Sequence, residues 1–152
     1  MKVRNCMKRK VIYSQANISI REAAGIMTRN HIGTLPIVDD SMHLIGIVNM
    51  QGLIRLTMPD FIHLIENVDF VHDFGAVENE KVDPAILDLP VTSVMDEVVA
   101  VEESAGLVRA IALLQEHDMS DLPVLDLDGR LVGIASYVDI GVLLINTWAT
   151  PA

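Results

Sequence analysis

Two fourteen-residue stretches of this chain align with each other. LPIVDDSMHLIGIV starts at Leu35, and LPVLDLDGRLVGIA starts at Leu122, 87 residues later. Six positions are identical: the Leu-Pro pair, Asp39/Asp126, Leu44/Leu131, Gly46/Gly133 and Ile47/Ile134. Most of the others exchange one aliphatic residue for another. The correspondence continues upstream as a pattern. Ile20, Ala23, Ala24 and Met27 fall at i, i+3, i+4, i+7, and Leu107, Ala110, Ile111 and Leu114 repeat the spacing, so each copy supplies one apolar helix face. Neither copy has enough strands to bury its helices alone. Two copies closed on each other around one continuous aliphatic core is the arrangement this predicts.

Each copy reads as strand, helix, hairpin, helix. The leading strands are expected at Val11 to Tyr13 and Val98 to Val101. The first helices are expected at about Ser19 to Asn30, with Ser19 and Glu22 as a capping box, and about Ser104 to His117, with Ser104 as the cap. The hairpins start at Leu35 and Leu122 and return near His43 and Arg130. Gly129 suits a tight turn in the second. The first turn, Asp39-Asp-Ser-Met42, has no glycine and predicts a looser loop. Closing helices begin near Asn49 and Ser136. The units are placed at residues 1–58 and 92–152. Between them, residues 59–91 read as a Pro-punctuated acidic linker, with Phe61, Ile62, Leu64 and Ile65 as a helical continuation and an irregular stretch after Asp73-Phe-Gly75. The linker packs on the surface, touches a partner or covers a ligand.

Half the residues are hydrophobic but only 4% aromatic, so the core must be aliphatic, with the methionines filling gaps. No apolar run reaches the roughly 18 residues that a membrane span needs, and no signal-peptide core follows the basic start. A soluble, cytoplasmic protein is the expectation. A net charge of −10 argues against non-specific nucleic-acid binding. Five of the eleven cations, however, are Lys2, Arg4, Lys8, Arg9 and Lys10. They are either a solvated terminus or a contact for an anion. Cys6 is the only cysteine and reads as a small buried hydrophobe. The histidines His31, His43, His63, His72 and His117 lack zinc-site spacing. No nucleophile elbow, P-loop or dinucleotide fingerprint occurs, so no metal and no catalysis are expected.

The unit, with its LPhVD, turn, hLhGhh and capped helix occurring twice, resembles the CBS domain, and the tandem resembles a CBS pair, or Bateman module. VRNCM and VTSVM, ending at Met7 and Met95, resemble the family's small leading helix. The resemblance implies an α/β (α+β) fold of two βαββα units packed about a pseudo-twofold axis. It also implies a cleft for an adenosine-type ligand: AMP, ADP, ATP or S-adenosylmethionine. Such a ligand would be regulatory, and no cofactor would be required.

In the family, Gly-h-x-Ser/Thr-x-x-Asp contacts ribose and phosphate, which points here to Gly133, Ile134, Ser136 and Asp139. Ser136 would sit at a helix N-cap able to receive an anion, and Asp139 would accept hydrogen bonds from the ribose hydroxyls. Gly133 would let the backbone lie close to the ligand. The same residues also read as an ordinary capping box. Val98, Val99 and Ala100, with Ser120, Asp121, Leu122 and Pro123, are implied to line the purine pocket. The first copy reads Asn49-Met-Gln-Gly52 at the equivalent place, keeping a cap but losing the carboxylate. It predicts a weak site, with Asn49 and Lys10 as its polar residues. One phosphate or none is expected on the ligand, unless Lys8 to Lys10 fold over the site. The expected protein is a free-standing, non-catalytic homodimer, paired through the closing helices, that regulates an unknown partner. The alternative is a ligand-free dimerisation or interaction scaffold.

Overall fold

The computed structural model describes residues 1–66, 68–69 and 71–149. The last three residues of the expected second unit lie outside that range. Helix α1 (Ile20–Asn30) leads into the hairpin β1 (Thr34–Val38) and β2 (Leu44–Asn49), then α2 (Met50–Arg55). After a short α3 (Pro84–Leu87), the second copy runs through β3 (Val101–Glu102), α4 (Leu107–Glu116), β4 (Asp121–Leu125), β5 (Leu131–Ser136) and α5 (Tyr137–Asn146). The result is a mixed α/β molecule with a two-stranded sheet β1-β2 and a three-stranded sheet β3-β4-β5.

The leading strands are shorter than expected. Residues 11–13 form no strand; the nearest pairing is a single parallel bridge from Ser14 to Ile37. In the second copy the strand is only Val101–Glu102, paired parallel with Val124 and Leu125. Pro36 and Pro123 explain the limit. Neither has an N–H to donate, so the ladder to the leading segment can begin only beyond them. Pro36 still accepts through its carbonyl from the Ser14 N–H at 3.0 Å.

The two hairpins are built alike, against the expectation of a looser first turn. Asp39 N–H donates to the His43 carbonyl at 3.0 Å and Asp126 N–H to the Arg130 carbonyl at 2.9 Å. Each aspartate also accepts two backbone N–H groups of its own turn at 2.9 Å: Ser41 and His43 for Asp39, Asp128 and Arg130 for Asp126. These carboxylates hold the turn shut. Met42 takes the left-handed backbone at φ 67°, where the second copy has Gly129 at φ 81°.

The capping box of α1 is present: Ser19 accepts from the Glu22 N–H at 3.1 Å, and Glu22 accepts from the Ser19 N–H at 3.0 Å. Ser104 does not cap α4. That helix starts later, with Gly106 as its N-cap and no side-chain bond. In the repeat Gly106 stands where Ser19 stands, so the position that carries the capping hydroxyl of α1 has no side chain in α4. Val3 N–H donates to the Ala105 carbonyl at 2.9 Å, and Lys2 bridges Gly106, holding that backbone extended.

This contact belongs to an exchange. Val3 and Met7 pack in one core cluster with Leu107, Ala110, Leu114, Leu122 and Val124 of the second copy. Val91 and, at its margin, Val94 and Met95 pack with Ala23, Met27, Leu35 and Ile37 of the first. Each leading segment thus closes on the other half. Instead of one continuous core there are two clusters, joined by the exchanged segments and by Ile47, which sits in the second-copy cluster.

Pro59 separates α2 from a 3-10 turn at Asp60–Leu64, so the expected helical continuation survives only as that turn. Beyond Gly75 the linker is less irregular than expected, with a 3-10 turn at Gly75–Asn79 before α3. No helix among the described residues is long and apolar enough to cross a membrane.

Candidate functional site

Because the leading segments cross over, each cleft between the halves combines the start of one copy with the capped motif of the other. On one side, Lys8 pairs with Ile134 through two backbone bonds of 2.8 and 2.9 Å. On the other, Asp96 pairs with Ile47 through bonds of 2.8 and 3.2 Å. Ile134 and Ile47 are equivalent residues of β5 and β2, so the two sides differ in one telling respect. The position that carries a lysine in one cleft carries an aspartate in the other.

The Lys8 cleft encloses about 290 Å³ and is lined by Lys8, Lys10, Ile12, Ile32, Asp121 and Ile134, among others. Just beside it, the first turn of α5 presents Ser136 and Asp139. Both capping bonds are made: Asp139 N–H donates to Ser136 Oγ at 2.9 Å, and Ser136 N–H donates to Asp139 Oδ2 at 3.1 Å. The short aspartate therefore completes the capping box. Its other oxygen, Oδ1, stands 3.7 Å from Lys8 Nζ, with 19% of the Asp139 side chain exposed. The motif is a cap and also leaves a carboxylate oxygen beside a lysine.

On the opposite side a cleft of about 320 Å³ is lined by second-copy residues alone, Asp96, Glu97, Val98, Val99, Ala100, Leu113 and His117, and the first copy reaches its edge through Asn49, bonded to Asp96. Its motif is the altered one. Asn49 is the N-cap of α2 by backbone position, but its side chain makes no cap bond. Instead it accepts from Thr34 Oγ1 at 3.2 Å and donates to Asp96 Oδ2 at 3.3 Å.

The residues expected to share one site are therefore divided. Val98, Val99 and Ala100 line the Asp96 cleft, opposite from Ser136 and Asp139. Lys10, expected in the weak first site, lines the cleft of Ile134 together with Lys8. Asp121 also lines that cleft, and its Oδ2 accepts from Ser120 Oγ at 2.8 Å. Ser120 and Asp121 face Gly33, where a side chain would meet them at 3.3 and 3.6 Å. Leu122 and Pro123 are buried in β4 and belong to the core. Gly133 does not make room for a ligand. A Cβ there would stand 2.9 Å from both the Lys8 carbonyl oxygen and the Met7 sulfur, so the glycine admits the exchanged segment; Met95 covers Gly46 in the same way.

Ile12, Ile32 and Thr34 were missed as cleft residues. For two of them the sequence signal lay in the repeat: Ile12 and Thr34 are the first-copy equivalents of Val99 and Asp121, whereas Ile32 answers to Met119, which carried no such signal.

Burial, then the nearby charge of Asp139, pushes the Cys6 thiol above its ordinary pKa, so Cys6 lies within electrostatic reach of that carboxylate. Among the described residues, no group of His, Cys, Asp and Glu has the arrangement of a metal site.

The CBS domain model matches residues 3–58 and 91–141, and the chain belongs to that family. It is 49% identical over 54 residues to the uncharacterized protein MJ1426 of Methanocaldococcus jannaschii, a match covering 36% of this chain and 32% of that one. The chain thus spans about a third of the length of that curated relative. Its fold is that of solved CBS pairs. The CBS-pair protein CBSX2 from Arabidopsis thaliana superimposes with a TM-score of 0.73 at 22% identity, covering 99% of this chain and 98% of that one. A CBSX2 structure in complex with AMP superimposes with a TM-score of 0.71. The CBS pair of protein MJ0100, in complex with 5′-methylthioadenosine and S-adenosyl-L-methionine, superimposes with a TM-score of 0.68 at 24% identity, covering 97% and 98%.

Proposed function

We propose that the chain is a regulatory module that binds an adenosine-type ligand in the Lys8 cleft. The ribose would bond to Asp139, and the purine would lie between Ile12, Ile32 and Ile134. The observation that carries this reading is the Asp139 carboxylate, its side chain 19% exposed, held at the N-terminus of α5 beside a cleft that offers three isoleucines and two lysines. The adenosyl ligands of CBSX2 and MJ0100 support it. The Asp96 cleft, with an asparagine in place of the capping serine and acidic side chains at its edge, is the weak site. The module's output is a change in contacts with a regulated partner, made without catalysis, in the cytoplasm.

The test is thermal melting with added AMP or S-adenosylmethionine. Ligand at a hundred times its Kd stabilises a single-site binder by about 2.7 kcal/mol. Asp139→Ala should abolish the shift, and a shift that survives in this variant contradicts the ribose assignment.

A second reading, a ligand-free interaction scaffold, is favoured by one observation. Val138, Val142, Ile145 and Trp148 are between 53 and 79% exposed and fall at i, i+4, i+7 and i+10 along and just past α5. The two readings are compatible if copies of the chain pair through this stripe.

A further inference from the structure

We infer that Lys8 sets which adenosyl ligands the cleft accepts, by exchanging Asp139 for the ligand's 5′-phosphate. This rests on the adenosyl reading of the cleft.

The backbone of Lys8 is fixed by its two bonds to Ile134. Its side chain is not fixed: 69% of it is exposed, and its ion pair with Asp139 is long at 3.7 Å. Such a pair contributes little on its own. Asp139 Oδ2 is committed to the Ser136 N–H, so Oδ1, the oxygen facing Lys8, is the one available to a ribose hydroxyl. A ribose that takes Oδ1 displaces the ammonium. Its flexible four-carbon stem lets the ammonium turn over the cleft that Lys8 lines. What it meets there decides the energy of the exchange.

A nucleoside offers no anion, so the ion pair is lost without replacement. A 5′-phosphate restores it as a charge-assisted hydrogen bond, with Lys10 lining the same cleft. S-adenosylmethionine brings one carboxylate but also a sulfonium and an ammonium, so its net positive charge stands against both lysines. The other charged groups fit the same ordering. Arg9 is directed to Glu103 at 3.7 Å. Asp121, bonded to Ser120, puts a carboxylate on the cleft wall that opposes the excess charge of a triphosphate. Two lysines match one phosphate dianion, which ranks AMP above adenosine, ATP and S-adenosylmethionine.

Calorimetry of the parent chain, Lys8→Met and Lys8→Arg with these four compounds tests the inference. The parent should bind AMP at least about tenfold more tightly than adenosine. Lys8→Met should erase that preference by weakening AMP alone, and Lys8→Arg should keep it. Without any variant, raising the salt concentration should weaken AMP but not adenosine. Equal affinity for AMP and adenosine in the parent, or equal weakening of both by Lys8→Met, overturns the role of Lys8 and leaves the adenosyl reading standing. A parent chain that binds none of the four overturns both.

Discussion

Met42 and Gly129 occupy the same place in the two hairpin turns, and both have left-handed backbone. The conformation costs a side-chain-bearing residue roughly 1 kcal/mol or more, and costs glycine nothing. Met42→Gly should therefore stabilise the chain. Gly129→Ala should destabilise it by about 1 kcal/mol, since a Cβ there meets only His43 at 3.7 Å and the loss is backbone strain alone. Denaturant unfolding of both variants checks this; equal effects of either sign would contradict it. Asp39 makes the complementary point about charge. The His43 N–H, chiefly, holds its carboxyl below the usual range. A depressed folded pKa gives stability that is complete above the unfolded value, near 3.9, and is lost as the pH falls through the folded one. Asp39→Asn should accordingly flatten the acid side of the stability curve, as measured by melting between pH 5 and 2.

At the scale of the element, the cap on α5 is real and the one expected on α4 is not. Ser136→Ala should cost about 1 kcal/mol, while Ser104→Ala, exposed and outside its helix, should stay within about 0.5 kcal/mol. Equal losses by chemical denaturation would contradict the assignment of Gly106 as the cap. The contrast shows what the sequence could carry. Ser19-x-x-Glu22 and Ser136-x-x-Asp139 were legible because a capping box is local chemistry. The start of α4 carries no such local signal: the 87-residue offset sets Gly106 opposite Ser19, and a glycine has no side chain to cap with. The hairpins were legible from the repeat itself. The first turn closes tightly without a glycine because the Asp39 carboxylate accepts the Ser41 and His43 N–H groups, a contact that turn composition does not reveal. Val11 to Tyr13 failed as a strand because β propensity does not reveal which backbone groups a neighbouring proline withholds.

For the whole molecule, the decisive fact is the exchange of leading segments, which assigns residues to clefts. The family resemblance grouped Val98 to Ala100 with Asp139, since a repeat read in one dimension keeps each copy to itself, whereas the fold sets them on opposite sides. Gly46 and Gly133 hold the exchange in place. Gly133→Ala must push against the Lys8 carbonyl and Met7, and should cost about 1–3 kcal/mol by the overpacking rule. Pairing of two copies through the apolar stripe of α5 is expected to give a dimer by light scattering, and Val142→Glu should give a monomer. A parent chain that is monomeric at high concentration contradicts that arrangement. The crossed clefts themselves are tested most directly by calorimetric titration of AMP into Ile12→Trp and Val99→Trp. The account predicts that a tryptophan at Ile12, in the first copy, blocks the site of Asp139 in the second, while one at Val99 leaves AMP binding intact. Loss of binding in Val99→Trp with full binding in Ile12→Trp would contradict it.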